Sequence, residues 1–264
     1  MAVNKSKARR FAIVSGKGGV GKTVITANLA AALASIGRRI LVVDADLGLA
    51  NLDIILGVAP QFTIQDVLCG VCTLDDVLLA TKNGFDLLPA GSGFPEGAIL
   101  TAVMAEKIES LLNTLEERYD VILFDAGAGV GEVVLFFARL AHEILLVVTP
   151  EPTSLMDAYA TIKVIKQLHG RSSFYLVVNQ ANPSCPDRIG ASVVNHLQNV
   201  ISRFIETSPD SPVCVQLAGS IPLDPAIPQA IKNRQLLTEI NPQAPSTCLM
   251  HSLADFLHTQ MNRV

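Results

Sequence analysis

The stretch Gly16-Lys17-Gly18-Gly19-Val20-Gly21-Lys22-Thr23 decides the fold, because it separates an apolar run, Phe11 to Val14, from a small-residue helical stretch, Val24 to Ala34. A strand that turns sharply into a helix leaves several backbone N–H groups without partners, and glycines let these groups approach phosphate oxygens closely. The helix dipole adds positive potential at the same point. The G-x-x-x-x-G-K-[ST] spacing therefore predicts a phosphate-binding loop.

Two side chains of this loop have predicted contacts with a nucleoside triphosphate. Lys22 is expected to reach the β- and γ-phosphates, and the Thr23 hydroxyl is expected to bind Mg²⁺. The other interpretation, a glycine-rich turn with an incidental lysine, does not account for the strand before the loop and the helix after it. The predicted nucleotide site also includes the remaining loop residues and the residue that follows them: Gly16, Gly18, Gly19, Val20, Gly21 and Val24.

Lys17 directly follows the first glycine and gives the loop a second lysine that the general motif does not require. In this feature the chain resembles the MinD/ParA family of ATPases, which have a deviant Walker A loop. The resemblance implies that Lys17 and Lys22 are catalytic, and that Lys17 reaches across a homodimer interface to the partner's nucleotide. ATP binding would then drive dimerisation. A solvated surface lysine is the other interpretation.

Asp44 and Asp46 follow a second apolar run, Arg39 to Val43. The carboxyl ends of strands in open α/β sheets are where ligands bind, and Mg²⁺-triphosphate chemistry needs carboxylates that bind the metal's waters and orient an attacking water. By resemblance, Asp46 positions or deprotonates the hydrolytic water and Asp44 supports the Mg²⁺ shell. The alternative is a turn with capping carboxylates.

Asp125 follows a third run, Tyr119 to Phe124, and precedes Gly129. This pattern is typical of a Walker B element, in which Asp125 holds a Mg²⁺-bound water. Gly129 would let a backbone N–H approach the γ-phosphate. A strand-end Asp that caps the next helix is the alternative.

Asn179 ends a further strand, Phe174 to Val178. An amide can bond both the donor and the acceptor edge of adenine, so Asn179 is a candidate for base selection. In the family, a matching Asn and an Ile-Pro-x-Asp turn flank adenine, which implies the same for Pro222 and Leu223. A turn without ligand contact is the alternative for these two residues.

The stretch from Pro150 to Tyr159 reads Pro-Glu-Pro-Thr-Ser and then Asp-Ala-Tyr. It resembles the flagellar-number regulators of the family, the FlhG/FleN branch, more than MinD or ParA proper. That branch implies a FlhF-like GTPase or a transcription regulator as protein partner. The branch's segment for contacting the GTPase is not recognisable in residues 1–10. Thr153 or Ser154 is expected to cap the helix that continues to His169.

The alternation of strands and helices predicts an α/β fold, with a doubly wound, mainly parallel sheet and helices on both faces, as in P-loop NTPases. Residues 1–10 are polar and basic and predict a mobile tail, followed by one ATPase domain over residues 11–264. The last helix, Thr247 to Met261, has an apolar stripe but lacks the Lys and Arg of a membrane-seeking helix. It is expected to pack on the core.

Composition narrows the function classes. Of the 264 residues, 50% are hydrophobic, yet no apolar run is long enough to span a membrane and no signal peptide is visible, which predicts a cytoplasmic protein. The basic tail leaves transient contact with the inner membrane face open. A net charge of −4 argues against a surface that neutralises many DNA phosphates, so no specific nucleic acid is expected.

The sequence therefore predicts a MgATP-dependent dimerisation switch, slow in hydrolysis without a partner, that regulates flagellar number or placement. A partition ATPase and a division-site ATPase stay open as alternatives. A third alternative is a metal-cluster carrier that uses the C-x-x-C pair Cys69 and Cys72, although no second such pair occurs among the five cysteines.

Overall fold

A central eight-stranded sheet runs through the residues that the computed structural model describes, 7–46, 51–90, 100–205 and 212–261. Its strands are β1 (Arg9–Ser15), β2 (Ile40–Ala45), β3 (Leu79–Ala80), β4 (Asp86–Leu88), β5 (Val121–Ala128), β6 (Glu143–Val148), β7 (Ser173–Ala181) and β8 (Cys214–Pro222). The spatial order is β3-β4-β2-β5-β1-β6-β7-β8. All neighbouring strands pair in parallel except β3, which is antiparallel to β4.

Helices connect the parallel strands and cover the sheet. They are α1 (Lys22–Ser35), α2 (Leu52–Leu56), α3 (Ile64–Leu68), α4 (Leu74–Val77), α5 (Ala102–Leu115), α6 (Glu132–Leu140), α7 (Pro152–His169), α8 (Pro186–Phe204), α9 (Ala226–Lys232), α10 (Leu237–Ile240) and α11 (Pro245–Met261). This architecture confirms the predicted doubly wound α/β fold.

Two hydrophobic cores lie on the two faces of the sheet. Alternate residues of β1 contribute to each: Phe11 and Ile13 pack with α1 and α11, whereas Ala12 and Val14 pack with α5 to α8. Successive side chains of a strand point to opposite faces, so a strand covered on both sides must be apolar throughout. The continuous apolar runs in the sequence therefore mark the strands at the centre of the sheet.

The first strand begins earlier than predicted. Arg9 and Arg10 belong to β1, and Ala8 is already buried, so the basic tail assigned to residues 1–10 does not extend this far. The guanidinium of Arg10 lies 2.8 Å from the carboxylate of Glu116 and donates to Asn113. A buried arginine is tolerated when it is paired, and these partners lie more than 100 residues away. Residues 1–6 lie outside the described residues.

Other boundaries differ for local reasons. The chain between α9 and α10 leaves the helical conformation, because Arg234 adopts a left-handed backbone conformation with φ 51°. Leu79–Ala80 forms the short strand β3 and does not continue α4. The sequence analysis also missed α2, which follows Asp46 closely and lies beside the site described below.

The last helix packs on the core, as predicted. Met250, Leu253 and Leu257 of α11 are buried in the cluster that also contains α1. In the described part of the chain, no helix has the length and apolar character needed to cross a bilayer.

Replacing a buried leucine of α11 should destabilise the protein. We expect Leu257→Ala to lower the free energy of unfolding by about 2–5 kcal/mol, because it removes core contacts and leaves a cavity. Leu168→Ala, at a position that is 62% exposed, is the matched control and should cost less than about 0.5 kcal/mol. Urea titrations measure both changes, and equal losses would argue against a core role for α11.

Candidate functional site

The loop between β1 and α1 begins at the middle of the sheet, where β1 pairs with β5 on one side and β6 on the other. Gly21, at the N-cap of α1, has φ 91° and Gly19 has φ 78°. Residues other than glycine rarely adopt such positive φ angles. Gly16 packs against the backbone of Asp157 in α7, where an added Cβ would lie 2.4 Å from a main-chain atom. These positions explain three of the glycines in the predicted loop.

A cleft of about 520 Å³ opens over this loop. A second cavity of about 220 Å³ adjoins it, and the two share four residues: Gly19, Gly21, Val24 and Ile231. The first cavity is lined by the loop from Lys17 to Thr23 together with Asp46 and residues of α2. The second is lined by Asn179, Pro222 and Leu223. The arrangement suits an elongated ligand with phosphates at one end and an apolar ring at the other.

Two buried carboxylates lie beneath the floor of the first cavity. Asp44 of β2 and Asp125 of β5 are paired in register and are only 3% and 1% exposed. Lys22 and Thr23, which line the cleft, both contact the Asp125 carboxylate, and the Lys22 Nζ lies 3.5 Å from it. The hydroxyl of Thr26 donates to the same carboxylate at 3.0 Å. Burial raises the pKa of Asp125, while the Lys22 ammonium opposes this shift.

The pKa of Asp44 is also raised strongly. Burial, followed by the neighbouring negative charge of Asp125, raises its pKa to about 8. Its Oδ1 accepts a hydrogen bond from the backbone N–H of Asp46 at 3.2 Å, which partly opposes the shift. A cation entering the site would therefore displace a proton from Asp44.

The oxygen atoms fit a magnesium site of the kind that keeps most of its waters. Within the described ranges, no group of three or more His, Cys, Asp or Glu side chains is close enough to hold a metal together. Mg²⁺ in nucleotide sites is bound through one or two protein oxygens plus phosphates and water, and Thr23 and Asp125 are already in contact. The predicted ligands Thr23, Asp44 and Asp125 thus fit a metal that arrives with its nucleotide.

The amide of Asn179 is only partly available for a base. Its Nδ2 donates one N–H to the carbonyl of Val20 at 2.7 Å, which leaves the second N–H of the amide group for a ligand. Its Oδ1 is buried without a partner and remains as an acceptor beside the second cavity. The backbone N–H of Leu223 also has a partner, the carbonyl of Ala181 at 2.9 Å, which leaves its side chain to line the cavity.

Lys17 lies at the rim of the cleft, and its side chain is 40% exposed. Its Nζ contacts the Glu151 carboxylate at 2.8 Å and the Thr153 hydroxyl at 3.2 Å. The contact with Glu151 was missed because nothing in the local pattern links positions 134 residues apart.

Two further details correct the sequence analysis. The N–H of Gly129 donates to the Ser15 carbonyl at 2.8 Å, so this group already has a partner and is not directed at a phosphate. Glu151 is the N-cap residue of α7 and Pro152 begins the helix, whereas Ser154 accepts a hydrogen bond from the Thr149 N–H. The predicted cap at Thr153 or Ser154 is therefore wrong, because the second proline already fixes the first helical residue.

The cysteine pair gives no support to a metal-cluster carrier. All five cysteines are free, Cys69 is exposed and Cys72 is partly exposed. Both lie around the turn between α3 and α4, and neither lines the cleft.

The chain is similar to known proteins in both sequence and structure. The AAA domain family matches residues 8–177. The antiactivator FleN of Pseudomonas aeruginosa is 37% identical over 92% of this chain and 84% of its own length. The flagellum site-determining protein YlxH of Helicobacter pylori is 32% identical over 90% of this chain and 78% of its own. The septum site-determining protein MinD from Pyrococcus horikoshii, solved with Mg-ADP, superposes with a TM-score of 0.76 at 29% identity, covering 97% and 100% of the chains.

The raised pKa of Asp44 predicts a pH-dependent stability of the metal-free protein. The unfolded carboxyl loses its proton near pH 3.8 and the folded one near pH 8, so stability should fall as the pH rises between these values. Asp44→Asn resembles the protonated side chain and does not titrate. We expect it to be more stable than the parent at pH 9 by at least about 1 kcal/mol, with little difference at pH 4.

Urea titrations from pH 4 to 9, in the presence of a chelator that keeps the protein free of metal, test this prediction. The exposed Asp255→Asn variant on α11 is the control and should follow the parent curve. Parallel curves for the parent and Asp44→Asn would show that Asp44 ionises normally.

Proposed function

The chain belongs to the MinD/ParA family of P-loop ATPases, and we propose that it is a MgATP-dependent dimerisation switch that regulates the number or placement of flagella. The observation that carries the proposal is one cleft lined by two loop lysines, with Thr23 above Asp125 and Asp46 at its edge. Because a fold alone does not imply a function, the proposal rests on these site residues, and the second lysine supports dimerisation.

Each residue of the cleft has a proposed role in ATP hydrolysis. The loop glycines bind phosphate oxygens through backbone N–H groups, and Lys22 exchanges its contact with Asp125 for the β- and γ-phosphates. Thr23, Asp44 and Asp125 hold Mg²⁺, which when bound neutralises charge on the phosphates. Asp46 orients the attacking water and accepts its proton. Asn179, Pro222 and Leu223 contact the base.

Exposed apolar side chains around the cleft support a dimer that forms on this face. Ile54 lines the cleft and is 56% exposed, and Met156, in the first turns of α7 beyond the Lys17 contact, is 62% exposed. Val130, which follows Gly129, is 39% exposed. Exposed large apolar side chains are often found on protein contact surfaces. In the proposed dimer each Lys17 binds the γ-phosphate in the opposite subunit.

The energetics of such a switch are within reach of a few contacts. Moving a monomer–dimer equilibrium from 1:99 to 99:1 needs about 5.5 kcal/mol of differential binding. Two lysine–phosphate contacts, each a charge-assisted hydrogen bond worth about 1.5–3 kcal/mol, supply much of it. Hydrolysis removes the γ-phosphate and with it this contribution. We expect turnover to be slow until a partner stabilises the hydrolytic arrangement.

The flagellar role is supported by the similarity to FleN and YlxH, whose names denote an antiactivator and a flagellum site-determining protein. The protein partner would then be a transcription regulator or a FlhF-like GTPase. Similarity to MinD supports division-site placement as a second candidate. Five free cysteines suit the reducing cytoplasm that we propose as its location.

The partner can be identified by capture with the ATP-trapped protein. The Asp46→Ala variant with bound ATP should retain flagellar regulators from an extract of the cells in which this protein occurs. The Lys17→Ala variant is the matched control and should not retain them. Recovery of division proteins or chromosomal DNA by the trapped variant alone would instead favour the septum or partition roles.

Removing the second lysine should separate nucleotide binding from dimerisation. We expect Lys17→Ala to bind ATP within about threefold of the parent affinity while its dimer dissociation constant rises at least about tenfold, which corresponds to 1.4 kcal/mol. Calorimetry measures the first quantity and sedimentation velocity with a non-hydrolysable ATP analogue measures the second. Dimers of parent strength in this variant would refute the role of Lys17.

Removing Asp46, the proposed general base, should make the ATP-bound dimers longer-lived. Asp46→Ala should lower ATP turnover by at least about 100-fold and leave long-lived dimers with ATP, because assembly does not need the proton acceptor. Asp53→Ala, which removes a neighbouring carboxylate on α2, is the control and should keep most of the turnover. Unchanged phosphate release from Asp46→Ala would take Asp46 out of the mechanism.

A further inference from the structure

The amide side chain of Asn28 joins helix α1 to helix α10. Asn28 lies in the second turn of α1 and is only 2% exposed. Its Oδ1 accepts hydrogen bonds from the backbone N–H groups of Leu237 at 2.9 Å and Thr238 at 3.4 Å. Its Nδ2 donates to the carbonyl of Val24 at 2.9 Å. Both ends of the amide are therefore engaged, and no role proposed so far uses this residue.

The start of α10 depends on Asn28 because the helix has no suitable cap of its own. Leu236, which precedes α10, has no side-chain oxygen that could accept from the first N–H groups of the helix. Glu239 accepts from the N–H of Leu236 at 3.2 Å, whereas the N–H groups of Leu237 and Thr238 reach Asn28. A buried N–H group without a partner is costly, so the Asn28 oxygen holds the start of α10 against α1.

Helix α9, which precedes α10, packs only lightly on the core. Of its seven residues, only Ala230 is buried. At its beginning, the N–H of Ala226 donates to the Asp224 carboxylate at 2.8 Å. At its end, the N–H of Gln235 donates to the carbonyl of Ala230 at 3.1 Å, and the chain then enters α10. The position of α9 is therefore fixed from its two ends, and the second end leads to Asn28.

The same helix forms part of the wall of the second cavity. Ile227, Pro228 and Ile231 of α9 line this cavity together with Asn179 and Leu223, for which we propose contacts with the base. Ile231 also lines the cleft above the phosphate loop. Because α1 begins in that loop, one helix carries the phosphate contacts at its start and the contact that holds α9 and α10 one turn later.

We propose that Asn28 is a positioning residue that sets the affinity of the site for the base end of its nucleotide, by holding α9 and α10 against α1. This inference rests on the proposed ATP site and adds a residue that lines neither cavity. Without the Asn28 contacts, the α9 wall is in place for only a fraction of the time. The apparent dissociation constant of a nucleotide then rises by the inverse of that fraction. A ligand with phosphates and no base does not use the wall.

The comparison that tests the proposal is between ADP and pyrophosphate, which share two phosphates and differ by the nucleoside. Asn28→Leu keeps nearly the size of the side chain and removes its polar atoms. We expect its dissociation constant for ADP with Mg²⁺, from calorimetry, to rise at least about fivefold, while the value for pyrophosphate stays within about twofold of the parent. Asn28→Asp keeps an accepting oxygen and should bind ADP more tightly than Asn28→Leu. Asn199→Leu, at an exposed position of α8, is the control and should change neither value.

A merely structural role of Asn28 would affect both ligands alike. Equal losses of affinity for ADP and pyrophosphate in folded Asn28→Leu, or no loss for ADP, would overturn the proposal. Circular dichroism establishes that each variant is folded. Asn28→Ala takes the place of Asn28→Leu, with the same expectation, if the larger side chain prevents folding.

A second measurement needs no nucleotide. Hydrogen exchange of the Leu237 and Thr238 N–H groups in the ligand-free protein, followed by NMR, should be at least about tenfold faster in Asn28→Leu than in the parent. Asn199→Leu should exchange at the parent rate. An unchanged rate in Asn28→Leu would show that Asn28 does not hold α10 and would overturn the proposal. If the parent binds no ADP while the exchange rate rises, the proposed nucleotide function fails and the contact that holds α10 stands.

Discussion

The contact between the Lys22 ammonium and the Asp125 carboxylate is the constraint on which the site depends. It joins the start of α1 to β5 below the cleft, where both groups are almost fully buried. Neither charge is tolerable there alone, because an unpaired buried ion costs several kcal/mol. The contact therefore keeps the loop in place without a ligand. In the proposed ATP complex, a phosphate group replaces Asp125 as the partner of Lys22.

The sequence was most informative where a feature is local. The loop glycines, the apolar strands of a doubly covered sheet and the carboxylates at the strand ends each follow from short-range patterns. The structure pairs Asp44 in register with Asp125. Contacts between distant segments were not predictable. The pairing of Arg10 with Glu116, the Asn179 contact with Val20 and the Glu151 contact with Lys17 arise only once the strands are ordered.

The segment Pro150 to Asp157 connects parts of the protein that act together. Glu151 and Thr153 contact Lys17 on the loop, while the backbone of Asp157 packs against Gly16. The same segment also contains Met156, whose side chain is exposed. Its sequence thus combines a rigid backbone, a counter-charge and an apolar surface within eight residues.

The short antiparallel strand β3 has a consequence for how copies of the chain can associate. It is an edge strand of the sheet and contains only two residues, Leu79 and Ala80. So short an edge strand has too few unpaired N–H and C=O groups to pair stably with a strand of a neighbouring molecule. Pairing of this kind is how many sheet proteins aggregate. Fibre formation by strand pairing at β3 is therefore disfavoured. Contacts between copies of the chain would have to form through side chains elsewhere on the surface.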